Sequence, residues 1–155
     1  MALRFATWIT GAVLAVALGA CAPAPPPEPE PTIAQVNITG AADQNPDKNG
    51  RASPAVVHIY AMKTGAPFDI GDPDALIGGE MGELGETMTR LARLVIVPGG
   101  ESKKVFELGD DFTDIGITVA YRNFDQSQWR VMAPVKTKDV TLIKATVGAA
   151  AVTVQ

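Results

Sequence analysis

The sequence predicts a mainly β protein, a β-sandwich of two sheets with seven or eight strands and a short helical insertion. Two observations predict this class: apolar and polar residues alternate along several short segments, and turn-forming residues separate those segments at short intervals. Only one stretch, near residues 72–88, has apolar residues at helical spacing. We expect one folded domain over residues 32–155, which is long enough for a hydrophobic core.

The first two predicted strands span residues 33–39 and 55–62. In the first strand Ala34, Val36 and Ile38 alternate with polar residues, which indicates one buried face. The second strand is apolar on both faces, which predicts a position inside a sheet. Between them, residues 41–53 form a polar loop of thirteen residues, and loops of that length are usually functional or disordered.

The helical insertion is predicted to begin at Asp72, which can cap a helix, and Pro73, which suits its first position. The apolar residues at helical spacing are Ile77, Met81, Leu84 and Met88. Four interspersed glycines, at 78, 79, 82 and 85, each cost up to about 1 kcal/mol relative to Ala in a helix interior. One or two short helices are therefore expected.

The second half of the chain returns to strand patterns. The predicted strands are residues 91–97, 102–108, 115–121, 129–135 and 140–147. A Pro-Gly-Gly-Glu turn at residues 98–101 separates the first two, and Gly109-Asp110-Asp111 ends the second. Residues 148–155 fit a terminal strand or a frayed tail, and the sequence leaves both open.

The first thirty residues have the layout of an export signal followed by a tether. Arg4 precedes an uncharged run, residues 5–20, that is shorter than the ~20 residues a bilayer span needs. The run ends in Leu-Gly-Ala before Cys21, the only cysteine, and resembles the lipobox of bacterial lipoproteins. That resemblance implies a lipoprotein signal peptide over residues 1–20 and diacylglycerol and N-acyl lipid on Cys21. Residues 21–31 then read as a Pro/Glu-rich tether.

The residues that enzymes and metal sites need are scarce. The chain has one histidine, His58, placed in the middle of a strand, and no Gly-x-Ser-x-Gly elbow, so no catalytic set is predicted. Asp43-x-Asn45-x-Asp47 is similar to the start of a calcium loop, but Lys48 and Pro54 occupy the turn-glycine and glutamate positions. We expect no metal, and no cofactor apart from the covalent lipid. The net charge of −4 gives no footprint for nucleic acid.

A run of motifs resembles one family. Asn45-Pro46-Asp47, followed by Gly-Arg-Ala-Ser-Pro-Ala-Val-Val-His-Ile-Tyr at residues 50–60, is similar to the outer-membrane lipoprotein of the type VI secretion system, the TssJ (SciN) family. Further fragments follow in the family's order at residues 72–76, 98–102, 119–122 and 129–130. The chain departs from the family pattern at residues 52, 55, 58 and 61–62.

The resemblance implies a transthyretin-like sandwich of two four-stranded sheets, tethered to the periplasmic face of the outer membrane. It also implies a partner, the periplasmic C-terminal region of the inner-membrane protein TssM, bound by the loop between the first two strands. The residues that map onto this loop are Asp43, Gln44, Asn45, Pro46, Asp47, Lys48, Asn49, Gly50 and Arg51. Asp47, Lys48 and Arg51 are the charged candidates for contact, while Asn45-Pro46 and Asn49-Gly50 would shape the loop.

A second hypothesis is a lipid-anchored periplasmic module that binds a small ligand or a glycan. Such a module needs an aromatic-lined pocket. The candidate aromatic residues Tyr60, Tyr121 and Trp129 follow strand patterns instead, so we expect them in the core.

Overall fold

The computed structural model describes residues 30–78 and 85–155, and within them the chain forms eight strands and two short α-helices. The strands are β1 (Thr32–Gly40), β2 (Ala55–Met62), β3 (Met88–Ile96), β4 (Glu101–Leu108), β5 (Asp114–Ala120), β6 (Arg130–Pro134), β7 (Val140–Val147) and β8 (Val152–Val154). The helices are α1 (Ala66–Ile70) and α2 (Pro73–Gly78), and a 3-10 helix covers Phe124–Gln126. The predicted signal peptide, Cys21, most of the tether, Met81 and Leu84 lie outside the described residues.

The strands form two four-stranded sheets, which confirms the predicted sandwich. Sheet 1 has the order β4-β1-β7-β8, and its β1–β7 pair is parallel. Sheet 2 has the order β3-β2-β5-β6 and is antiparallel throughout. β2 has neighbours on both sides, as its apolar sequence predicted.

The main core lies between the two sheets. Each inner strand contributes every second residue to it, among them Val36 on β1, Ile59 on β2, Ile117 on β5 and Ile143 on β7, all at most 2% exposed. Burying such a side chain stabilises the fold by roughly 1.5–3 kcal/mol. The outer face of sheet 2 is also covered, because α1 and α2 lie on it. The residues of this second cluster are Tyr60, Met62, Phe68, Leu76 and Met88.

The structure corrects the predicted insertion in three places. Met88 belongs to β3, which begins three residues earlier than predicted, and not to a helix. In α2 the buried residue is Leu76 rather than Ile77, because a helix of six residues presents little more than one side chain to the sheet. α1 was not predicted. Residues 152–154 form a strand, so the end of the chain is not a frayed tail.

The two ends of the sandwich differ in what they carry. β1 begins beside the end of β4 and the start of β7, where Thr32 pairs with Leu108 and Ile33 with Val140. We call this the tether end. The nine residues of β1 then run about 30 Å to the other end of the sandwich. That end, the loop end, carries the β1–β2 loop, the β3–β4 turn, the β5–β6 connection and the β7–β8 turn.

No helix among residues 30–78 and 85–155 is long and apolar enough to cross a bilayer.

Candidate functional site

The β1–β2 loop, residues 41–54, has a buried base. Gln44 is fully buried, and its Nε2 donates hydrogen bonds to the carbonyls of Ser53 at 3.1 Å and Ile96 at 2.7 Å. The N–H of Ser53 donates back to the carbonyl of Gln44 at 3.1 Å. Gln44 thereby ties the two halves of the loop to the end of β3, and supplies partners to buried backbone groups outside the sheet ladders.

Asn45 links three connections at the loop end. Its Nδ2 donates to the carbonyl of Pro54 at 2.9 Å, and its Oδ1 accepts the backbone N–H of Arg122 at 2.8 Å. Its own N–H points to the carbonyl of Gly148 at 3.3 Å. Asn45 adopts a φ of 43°, a left-handed conformation that Asn tolerates better than most residues. The side chain is 2% exposed, so its role is to join the loop to the β5–β6 and β7–β8 connections.

Gly40 makes the burial of Gln44 possible. A Cβ at position 40 would lie 2.1 Å from Oε1 of Gln44 and 2.6 Å from the carbonyl oxygen of Val97. Both distances are shorter than non-bonded contacts allow, and the second involves backbone that cannot move freely. The base of the loop therefore requires glycine at the end of β1.

The tip of the loop, residues 46–51, is organised by Asp47. Its Oδ1 accepts the backbone N–H groups of Asn49 at 2.8 Å and Arg51 at 3.0 Å, and its Oδ2 lies 3.2 Å from Nε of Arg51. These two N–H groups lower the pKa of Asp47 most, and the charges of Arg51 and Arg122 lower it further. Gly50 completes the turn at a φ of 78°. The tip is thus held in one conformation by its own residues.

The nine loop residues identified from the sequence fall into two sets. Gln44 and Asn45 are buried, so they shape the loop from below. The exposed or half-exposed residues are Asp43, Pro46, Asp47, Lys48, Asn49, Gly50 and Arg51. From Pro46 to Arg51, all but Gly50 line an open groove of about 720 Å³. Their contact with a partner stays a prediction.

Arg122 and Asn123 line the other side of this groove, and no pattern in the sequence predicted this. They follow β5, which runs antiparallel to β2 and therefore ends beside the β1–β2 loop. Knowing that β5 pairs with β2 would have predicted this position. The alternating pattern of a strand, however, does not show which strands it pairs with.

The remaining candidate residues are structural. His58 is 2% exposed on the outer face of sheet 2, and burial, followed by the charges of Arg90 and Arg93, lowers its pKa. Tyr60 and Tyr121 are buried, as predicted, whereas Trp129 is half-buried and stacks on Phe124 at 5.0 Å between ring centroids. No cluster of metal-ligating side chains occurs in the described part of the chain.

The family model for the type VI secretion lipoproteins, which include VasD, EvfM and TssJ, matches residues 32–154. This chain belongs to the type VI secretion lipoprotein family. The matched residues comprise both sheets, the helical insertion and the β1–β2 loop.

Solved structures of three other chains share the fold. TssJ1 from Pseudomonas aeruginosa is 26% identical with a TM-score of 0.76, over 81% of this lipoprotein and 95% of that chain. Lip from Serratia marcescens, a membrane-bound component of the type VI secretion system, is 17% identical with a TM-score of 0.72, over 81% and 96%. A chain in the structure of the TssM C-terminal domain (869-1107) from EAEC is 21% identical with a TM-score of 0.62, over 80% and 98%. No curated protein matches.

Proposed function

We propose that this lipoprotein anchors the trans-envelope complex of the type VI secretion system to the periplasmic face of the outer membrane. In this proposal acylated Cys21 holds the chain to the membrane, and the β1–β2 loop binds the periplasmic C-terminal region of TssM. The role is that of a structural component without catalytic chemistry or a cofactor. The observation that carries the proposal is a charged loop, ordered by its own hydrogen bonds, at the end of the sandwich opposite to the predicted tether.

Two structural neighbours support the choice of partner. One is described as a type VI membrane complex, with a TM-score of 0.67. The other comes from a structure described as the TssM C-terminal domain (869-1107) from EAEC, with a TM-score of 0.62 over 80% of this chain.

The arrangement of the two ends fits an anchor. The predicted tether supplies eleven residues, 21–31, ahead of β1, which at ~3 Å per residue for a proline-rich segment extends about 33 Å. The sandwich adds the length of β1, so the loop faces away from the lipid attachment point into the periplasm. Several acyl chains on one cysteine provide the lasting membrane attachment that a single chain does not.

A triple substitution at the tip tests the loop. Asp47→Ala, Lys48→Ala and Arg51→Ala together remove the tip charges but leave Gln44 and Asn45 in place, so folding should be retained. We expect the tagged lipoprotein to stop co-purifying with TssM from solubilised membranes. A matched control removes two positive charges and one negative charge from exposed positions on β4, and it should co-purify normally. Its substitutions are Lys103→Ala, Lys104→Ala and Glu107→Ala.

Each part of the proposal has its own refutation. If the tip variant co-purifies as well as the unmodified chain, the loop assignment is wrong. If the unmodified chain does not co-purify with TssM, the partner is wrong. The variant Cys21→Ser should lose fatty-acid labelling and leave the membrane fraction, and retention of both would refute lipid attachment at this residue.

A small-ligand module remains the second candidate because of one observation. A groove of about 380 Å³ lies between α2 and the β5–β6 connection, and Tyr121 and Phe124 are among its lining residues. A ligand there would shift the NMR signals of Ile77 and Phe124 rather than those of the loop tip.

A further inference from the structure

The groove beside the loop tip combines side chains from two connections of the sandwich. Lys48 and Arg51 come from the β1–β2 loop, and Arg122 from the β5–β6 connection. Asp47 is the one carboxylate among the described lining residues, and it is already bonded to Arg51. The groove therefore carries three cations and one anion, although the whole chain has a net charge of −4.

Two of these cations are available for a ligand. The direct ion pairs in the described residues are Arg51 with Asp47 and Lys63 with Asp111, so neither Lys48 nor Arg122 forms one there, although the charge of Arg122 acts on Asp47 at longer range. Both side chains are exposed. Interactions between exposed charges contribute little to folding, so an Arg and a Lys without direct ion pairs in a shared groove cost the fold little and keep their charge for an incoming group.

The backbone of Arg122 is held in a fixed position relative to the loop. Its N–H donates to Oδ1 of Asn45, whose Nδ2 is bonded to Pro54 on the far side of the loop base. Because Asn45 is 2% exposed, water does not compete for these bonds. The backbones of the two walls are therefore joined through Asn45, and little backbone ordering is needed when a ligand binds.

We propose that this groove binds an acidic segment of the protein partner, with the guanidinium of Arg122 bonded to a carboxylate and Lys48 supplying a second positive charge. The inference rests on the proposed function, since it names the chemistry by which the loop end recognises TssM. A guanidinium matches a carboxylate with two parallel hydrogen bonds, which gives orientation as well as attraction. Arg122 thereby becomes a specificity-determining residue that lies outside the β1–β2 loop.

The position of the groove favours a polypeptide over a membrane surface. Phospholipid head groups also carry anionic oxygens, but the groove is at the loop end, about the length of β1 from the tether end of the sandwich. A membrane contact would require the sandwich to turn over on its tether. An acidic protein segment that approaches from the side opposite to the membrane requires no such rotation.

The test measures binding of the chain from Cys21 onward, carrying Cys21→Ser, to the periplasmic fragment of TssM at low and high salt. Arg122→Glu keeps the backbone N–H that bonds to Asn45, so its circular dichroism and thermal unfolding should match the unmodified chain. We expect at least about a tenfold weaker Kd and a smaller dependence on salt. Lys48→Glu should weaken binding less. Lys144→Glu, which makes the same charge change on the outer face of β7, should leave the Kd unchanged.

The outcomes distinguish a wrong assignment of the groove from a wrong assignment of the partner. If Arg122→Glu binds TssM with unchanged affinity, the groove is not the binding site for the acidic segment, while the proposed function stands. If TssM does not bind the unmodified chain, the proposed function fails. A synthetic peptide of alternating Glu and Ala then tests the groove by itself. Shifts in the NMR signals of Lys48, Arg51 and Arg122 would support binding of an acidic segment there, and unchanged signals would contradict it. Binding to phosphatidylglycerol vesicles that disappears in Arg122→Glu would overturn the polypeptide assignment in favour of a lipid surface.

Discussion

The base and the tip of the β1–β2 loop are built from similar polar residues in opposite surroundings. At the base, Gln44 and Asn45 are buried and bonded to distant backbone groups. At the tip, Asn49 and Arg51 are exposed, and their backbone N–H groups donate to Asp47, two and four residues away. The base therefore depends on the folded sandwich, whereas the tip organises itself. Substitutions at the base should reduce stability, and substitutions at the tip should reduce binding.

The largest effect is expected from Gly40→Ala. The added methyl group would meet Oε1 of Gln44 and the carbonyl of Val97, so either β1 shifts or Gln44 leaves its site. We expect a loss of about 3 kcal/mol in the free energy of unfolding, measured by urea denaturation. Gly78→Ala is the control, since a Cβ there meets nothing within 4 Å. Equal stability of the two variants would show that the base is not closely packed.

Asn45→Ala should have the next largest effect. It removes the bonds to Pro54 and to the N–H of Arg122, leaves those groups unpaired, and puts Ala into a left-handed conformation. A loss of about 2 kcal/mol is expected in the same denaturation experiment. The exposed residue Asn49 offers the same substitution at the tip, where Asn49→Ala should cost less than about 0.5 kcal/mol. A similar loss in the free energy of unfolding for Asn45→Ala and Asn49→Ala would contradict the view that only the base supports the fold.

Asp47→Ala should make the tip less ordered but should barely change the free energy of unfolding of the whole domain. The N–H groups of Asn49 and Arg51 lose their acceptor, so their hydrogen exchange should become faster in NMR measurements, while that of the strands stays the same. Binding to TssM should weaken several-fold because the tip must be ordered on association. Faster exchange in the strands as well would instead indicate that Asp47 supports the whole sandwich.

The smallest effect is the response of the tip to acid. The pKa of Asp47 is lowered in the folded chain, so its bonds are fully present above the ordinary value of 3.8 and are lost as the pH falls through the lower, folded value. Exchange protection of Asn49 and Arg51 should thus persist from pH 7 to below pH 4. A carboxyl titration of Asp47 above 3.8, followed by NMR, would contradict the bonding described here. Asp47→Asn should make the protection independent of pH in this range.

The sequence predicted the strands whose residues alternate regularly, and missed features that depend on distant partners. β2 and β7 have the predicted bounds because their patterns are uninterrupted. β3 was predicted to begin too late, since its first residues pair with β2 across a register shift at Ile59/Tyr60 and lack regular alternation. The loop was located by its length and polarity. Its buried base was not predicted, because Gln44 bonds to a carbonyl 52 positions away and Asn45 to an N–H 77 positions away.

The position of β1 has a mechanical consequence. A pull between the membrane and a partner on the loop would act on the two ends of the same strand. β1 lies between β4 and β7, paired with eight residues of each, and a force along the strand loads both ladders in shear, so many bonds must break together. Both ends of the strand are also fastened, at Thr32 through bonds with Asp110 and Lys138, and just beyond Gly40 through Gln44 and Asn45. Tension between a membrane anchor and a partner on the loop would therefore pass along a strand that is paired on both sides over almost its whole length.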